Sequence, residues 1–281
     1  MSLQRGSRGT LIFSHANGFP ASTYAQLFDH WRSAGWKVLA IERFGHDALY
    51  PVSSNWPGLR QQLLDFIAPH AEQGRVHLVG HSLGGYLSVL AACKRPDWVA
   101  GLVLMDSPLV TGWRAHSLQV MKMGGLFKRF SPGRVSARRR WQWPSREAAL
   151  AHFQAKPSFA LWQAQVLRDY IAAGTEPDTE AGSESGSAEA VRLAFAREVE
   201  TRIYNTLPHH LGRLLKLRPP GCPAAFIGGT RSVELHQAGL ASTRALVGPR
   251  LSWIEGSHLY PMEKPQESAA AVLDWLGQMP A

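Results

Sequence analysis

Four short apolar runs separated by helical stretches fill the first 109 residues, and this alternation constrains the architecture more than any other feature of the chain. The runs are Thr10–Ser14, Lys37–Glu42, Arg75–Gly80 and Gly101–Met105. Tyr24–Ser33, Pro57–His70 and Leu83–Arg95 read as helices between them, the last stopped by Pro96. Apolar strands joined by helices of ~10–15 residues form βαβ units, and βαβ units build a parallel sheet. The alternation stops at Val110. From there to Arg218 the pattern is helical and loop-rich, with no clear buried strand. It resumes with the run Pro223–Ile227, a helix over Val233–Leu246, the run Arg250–Ile254 and a helix over Gln266–Leu276, opened by Pro265 in its first turn. The expected organisation is an α/β core from residues 1–109 and 219–281, interrupted by a mostly helical cap or lid over 110–218.

The 281 residues, 45% hydrophobic and 18% charged, suffice for a sizeable core and exclude collagen-like, disordered and disulfide-scaffold classes. No apolar run approaches the ~18 residues of a spanning helix, and the N-terminus lacks the apolar segment of a signal peptide. Cys93 and Cys222 lie far apart, without CxxC spacing, and read as buried thiols. A cytoplasmic location is therefore expected. The net charge of +9 is uneven: Val110–Arg218 holds 17 Lys/Arg against 9 Asp/Glu. Gly112–Arg146 has nine basic residues and no acidic ones, while Gly174–Glu189 has five acidic residues and no basic ones and reads as a solvated, mobile loop. The run Arg138–Arg140 reads as a solvated face, so no nucleic acid is expected as a partner. Trp113, Trp141 and Trp143 are interleaved with these cations, a combination that could line an entrance for an anionic, partly apolar ligand.

Gly80-His81-Ser82-Leu83-Gly84 fits G-x-S-x-G, and its context gives the pattern weight: an apolar run precedes it and a helix follows. A serine on a sharp strand-to-helix turn needs glycines two residues either side, hence Gly80 and Gly84. The turn lifts the serine Oγ clear of the sheet and leaves the Leu83 N–H, at the helix start, free for a developing oxyanion. Serine also needs a base. Of twelve histidines, His258 lies in a Gly/Ser loop after a strand, at the same sheet edge as Ser82. His15, His46 and His81 line or support that edge. His209 and His210 lack metal-ligand spacing, and no metal is expected.

These residues resemble the α/β-hydrolase superfamily: the turn His15-Ala-Asn17-Gly18-Phe19-Pro20, the segment Ile41–His46, the Gly80–Gly85 elbow and Gly256-Ser257-His258. The resemblance implies an α/β-hydrolase fold, a mostly parallel sheet flanked by helices with a cap inserted after the strand ending at Met105. It also implies a Ser/His/acid triad and a second oxyanion donor from the first turn, which aligns with the Phe19 N–H. The acid departs from the commonest pattern. That pattern puts Asp where this chain has Arg231, and a guanidinium has no acceptor for an imidazole N–H. Asp106, at the end of the strand before the insertion, is the leading candidate, since some family members carry their acid there. Glu234 is a second candidate, and absence of an acid is a third reading.

The leading expectation is a serine hydrolase cleaving a carboxylic ester through an acyl-enzyme, with Ser82, His258 and Asp106 catalytic, Phe19 and Leu83 as oxyanion donors, and His15, Asn17, His81, Trp113, Trp141 and Trp143 around the pocket. Thioester or C–C bond hydrolysis on the same residues, and a non-catalytic binding module, are the alternatives. The expected partner is a small acyl substrate. No cofactor is expected, because no dinucleotide fingerprint opens the fold. The sequence leaves the oligomeric state open.

Overall fold

The computed structural model describes residues 8–111, 133–179 and 189–280. Six parallel strands form the main sheet: β1 (Thr10–Ser14), β2 (Lys37–Ala40), β3 (Val76–His81), β4 (Val99–Met105), β8 (Ala224–Gly229) and β9 (Leu251–Ile254), in the order β2-β1-β3-β4-β8-β9. The chain is thus an α/β fold with helices on both sheet faces. Every residue of β3 and β4 is buried, as strands covered on both faces must be. Alternate residues face opposite ways. Leu11, Phe13, Val79, Val103, Met105 and Ile227 pack with Trp31 of α1 (Ala25–Ser33) on one side. Ile12, Leu78, Leu102, Leu104 and Phe226 pack on the other with Leu63 of α2 (Pro57–Ala71) and Leu87 of α3 (Leu83–Lys94).

The strand order reverses at β1, with β2 on one side and β3 on the other. A crevice opens at such a switch point beyond the carboxyl ends of the strands. Register pairs Ser14 with Gly80, His81 with Met105 and Met105 with Ile227, so the loops after β1, β3, β4 and β8 leave the sheet side by side.

Between β4 and β8 the chain forms α4 (Gly133–Arg138), β5 (Gln142–Trp143), α5 (Arg146–Gln154), α6 (Pro157–Ala160), α7 (Ala164–Gly174), β6 (Thr175–Pro177), β7 (Val191–Leu193), α8 (Arg197–Asn205) and α9 (Leu211–Leu217). Strands β5, β7 and β6 make a small antiparallel sheet, which the sequence pattern does not anticipate. Strands of two or three residues are too short to show a period of two. Thr175–Pro177 fall within the stretch expected to be a mobile acidic loop; they are strand β6, and Asp178 after them is buried. Residues 180–188 lie outside the described residues. The segment is seated on the core. The His46 Nε2 accepts the Ala196 N–H at 3.0 Å, and α7 packs against the 3₁₀ turn Ala21–Tyr24.

After β8, the expected single helix over Val233–Leu246 is two: α10 (Val233–Ala238) and α11 (Ala241–Val247), broken at Gly239 with φ 74°. The chain closes with α12 (Tyr260–Glu263) and α13 (Pro265–Leu276), the latter against α1. Among the described residues no helix is long and apolar enough to cross a membrane.

Candidate active site

Ser82 stands between β3 and α3 with φ 54° and ψ −114°, a conformation that side chains rarely adopt. The surroundings leave no alternative path. A Cβ on Gly80 would fall 2.3 Å from the Gly84 carbonyl carbon, and one on Gly84 would fall 1.9 Å from the Ser14 carbonyl oxygen. The Ser82 N–H donates to the Met105 carbonyl at 3.0 Å, which ties the elbow to the end of β4.

Asp106 is the first residue after β4. It too has a positive φ, 41°, which an aspartate tolerates better than most residues. The turn aims a fully buried carboxylate across the loop after β8. Its Oδ1 accepts the Gly229 N–H at 2.8 Å; its Oδ2 accepts the Ser232 hydroxyl and the His258 Nδ1–H, the latter at 2.6 Å. With Nδ1 carrying the proton, His258 Nε2 is left as an acceptor, and it lies 3.0 Å from the Ser82 Oγ. Glu234 is farther from the imidazole, with Oε2 4.0 Å from Nδ1, and its side chain is half exposed. Arg231, at the place where the family's commonest pattern has its acid, points to the surface and pairs with Glu255 at 2.8 Å. Burial pulls the His258 pKa down, but the hydrogen bond and charge of Asp106, aided by Glu234, outweigh it and hold the imidazole above its ordinary value.

Sequence reasoning missed Gly229 and Ser232. The available signal was Ser232 as an N-cap: its Oγ accepts the Leu235 N–H at 3.1 Å at the start of α10, while its own hydrogen goes to Asp106.

His81 is buried beneath this arrangement rather than beside a ligand. Its Nδ1 accepts from the Tyr24 hydroxyl at 2.7 Å, and its Nε2–H donates to the His258 carbonyl at 2.9 Å. The Tyr24 oxygen in turn accepts the Ala16 N–H at 3.2 Å. One chain of hydrogen bonds therefore joins the turn after β1, the elbow and the backbone of His258. Burial, with the neighbouring His258, keeps the His81 pKa well below the ordinary value, so the ring stays neutral, as this chain requires. His15 is likewise buried and structural: Nδ1–H donates to Ala16 at 2.8 Å, and Nε2 accepts the Phe44 N–H at 3.0 Å.

The two expected oxyanion donors differ. Leu83 opens α3, where an N–H lies outside the helical ladder. The Phe19 N–H already donates to the Ala16 carbonyl at 3.2 Å, a long turn bond that a ligand would have to share. Asn17 is tied to the segment after β4, its Nδ2 donating to the Glu200 carbonyl at 3.0 Å. Trp143 is buried against Phe153 and His152. Trp141 lies on a 460 Å³ cleft with Arg43, His46, Glu176 and Arg197, a lining that includes none of Ser82, Asp106 and His258. The structure thus does not place either tryptophan at the Ser82 edge. Trp113 lies outside the described residues.

A serine hydroxyl, an imidazole and a buried carboxylate, in line at the carboxyl edge of a parallel α/β sheet, define the class of protein. The comparisons name it. The family model described as "Alpha/beta hydrolase family" matches residues 11–271, and the chain belongs to that family. Among curated proteins, the chain is similar to a monoglyceride lipase of Mus musculus, 32% identical over 112 residues, 37% of each chain. It is also similar to a 2-hydroxy-6-oxononadienedioate/2-hydroxy-6-oxononatrienedioate hydrolase of Paraburkholderia phymatum, 30% identical over 101 residues, 34% of this chain and 35% of the relative. The matches thus span well under half the length of these relatives. Among solved structures, E-2-(acetamidomethylene)succinate hydrolase superposes with a TM-score of 0.72 at 20% identity over 97% of this chain and 92% of that one. An M. tuberculosis esterase does so at 0.70 and 19%, over 97% and 86%.

Proposed function

We propose that the protein is a serine hydrolase that cleaves a carboxylic ester through an acyl-enzyme. The observation that carries this reading is the continuous line Ser82 Oγ–His258 Nε2 at 3.0 Å and His258 Nδ1–Asp106 Oδ2 at 2.6 Å. In this reading Ser82 attacks the ester carbonyl as His258 takes its proton. The oxyanion is met by the Leu83 N–H and by the Phe19 N–H, which gives up or shares its bond to Ala16. His258 then protonates the departing alcohol. Water, deprotonated by the same imidazole, attacks the acyl-serine and releases the acid. Asp106 fixes the tautomer and stabilises the imidazolium without itself taking the proton. Domain 110–218 serves in this account as the cap over the pocket.

A serine nucleophile supports acyl chemistry over the dehalogenase and epoxide-opening reactions that this fold performs with an aspartate. The names of the similar proteins, a monoglyceride lipase and a dienedioate hydrolase, support hydrolysis of an ester or of a C–C bond. Nothing in the site favours a second reading over the ester. The test is a screen of acyl esters and acyl-CoAs with wild type and Ser82→Ala side by side. Turnover of an ester, lost in Ser82→Ala, is expected; a wild type silent towards all acyl esters contradicts the reading.

A further inference from the structure

We propose that Arg139, braced by Glu200 over the turn after β1, recognises a carboxylate at the far end of the acyl group, so that the preferred substrate is a half-ester of a dicarboxylic acid. This rests on the acyl-transfer reading above and adds the substrate class to it.

Arg139 belongs to the run that the sequence presents as a solvated face, yet its side chain is only 16% exposed. Its Nη2 lies 2.9 Å from Oε2 of Glu200, whose own side chain is 8% exposed. The other Glu200 oxygen accepts the Ser136 hydroxyl at 3.0 Å. The pair leaves Arg139 with capacity to spare. Among the described residues its buried Nε finds no hydrogen-bond partner, and its Nη2, though ion-paired, makes no aligned hydrogen bond. A guanidinium offers five N–H donors in a planar fork suited to carboxylates, and a buried donor without an acceptor is unfavourable unless a ligand supplies one.

The pair is seated against the proposed oxyanion turn. A Cβ on Gly18 would fall 2.9 Å from Oε1 of Glu200, and the Glu200 carbonyl holds Asn17 at 3.0 Å. Next in the chain, the Phe19 ring lies 5.6 Å from both Trp162 and Tyr170, and Phe159 packs against the same two rings at 4.6 and 5.9 Å. The buried Tyr170 hydroxyl also has no hydrogen-bond partner among the described residues, a second orphaned donor on this side. Lys156 Nζ lies 4.9 Å from the centroid of the Phe153 ring, which packs on Tyr170 at 5.2 Å, so a second cation borders the same aromatic cluster. An aromatic wall adjoining the oxyanion turn, with an incompletely bonded guanidinium at its margin, suits an apolar spacer ending in an anion. A neutral acyl chain would leave these donors unmet.

The test compares kcat/KM for p-nitrophenyl half-esters of glutaric, adipic and suberic acids with p-nitrophenyl pentanoate, hexanoate and octanoate. The proteins are wild type and Arg139→Gln/Glu200→Gln, which removes both charges of the pair and strands neither. Wild type should favour the half-ester at one or more lengths by about tenfold, and the double variant should lose that ratio. A wild-type ratio at or below one at every length, or a ratio unchanged in the variant, overturns the proposal. If the variant does not fold, calorimetric titration of Ser82→Ala with adipate and with hexanoate decides: tighter adipate binding supports the subsite, and equal or weaker binding overturns it. Adipate binding by a protein that turns over no ester would sink the hydrolase reading and leave the carboxylate site standing.

Discussion

Ser82 and Asp106 are two of only four non-glycine residues with positive φ among the described residues, and they end adjacent strands. Strain of this kind persists only where the surroundings over-determine it. Here Ser14, Gly84, Met105 and Gly229 do so. Asp106→Asn should lower kcat by roughly 10²–10⁴, since an amide in that place can present the wrong tautomer partner to Nδ1. Glu234→Gln, at 4.0 Å and half exposed, should change kcat by less than about threefold. Steady-state kinetics of the two variants decides between the carboxylates; the reverse ranking would transfer the acid role to Glu234. The pH profile carries the same logic. A base raised above the ordinary imidazole value works only when deprotonated, so kcat/KM should fall as pH drops through a midpoint above ~6.5. Loss of Glu234's charge should move that midpoint down.

At the scale of elements, the site depends on close approaches between backbones. Gly84→Ala should destabilise by about 1–3 kcal/mol or more, because its new methyl, in the first turn of α3, meets the Ser14 carbonyl at the end of β1; urea unfolding measures it. Ser232→Ala removes the N-cap of α10 and one donor to Asp106, and should cost about 1 kcal/mol of stability together with a fall in kcat. Strands β3, β4 and β8 were legible because burial on two faces gives continuous apolar runs, and α1, α2, α3 and α13 because each is long enough to show its period. Strands β5, β6 and β7 were not, being two or three residues long. The break between α10 and α11 was masked by a pattern that stays helical on either side of Gly239.

At the scale of the molecule, a parallel sheet with a switch at β1 brings the ends of β1, β3, β4 and β8 together, and that much of the site followed from the order of runs in the chain. The sequence favoured Asp106 as the acid but left Glu234 open, because which carboxylate faces His258 is set by the register of Met105 against Ile227 and by a turn of one residue. Arg139 was less legible still: a run of three arginines gives no sign of which one turns inward. The buried histidines make a further prediction. Burial lowers the His15 pKa to about 4, and His46, His77 and His81 are lowered by burial too. Below pH ~6.5 the unfolded chain binds protons that the folded chain refuses, so stability should fall between pH ~6.5 and ~4, by about 3 kcal/mol from His15 alone. Urea midpoints across that range test this; a flat profile would contradict it.

In the proposed mechanism Ser82, activated by His258, forms a covalent acyl intermediate. Intact-mass analysis after incubation with a fluorophosphonate is the decisive experiment. One adduct is expected on wild type, mapped to Ser82 by peptide fragmentation, none on Ser82→Ala, and slowed labelling of His258→Ala. Equal labelling of Ser82→Ala, or a wild type that stays unlabelled, would contradict it.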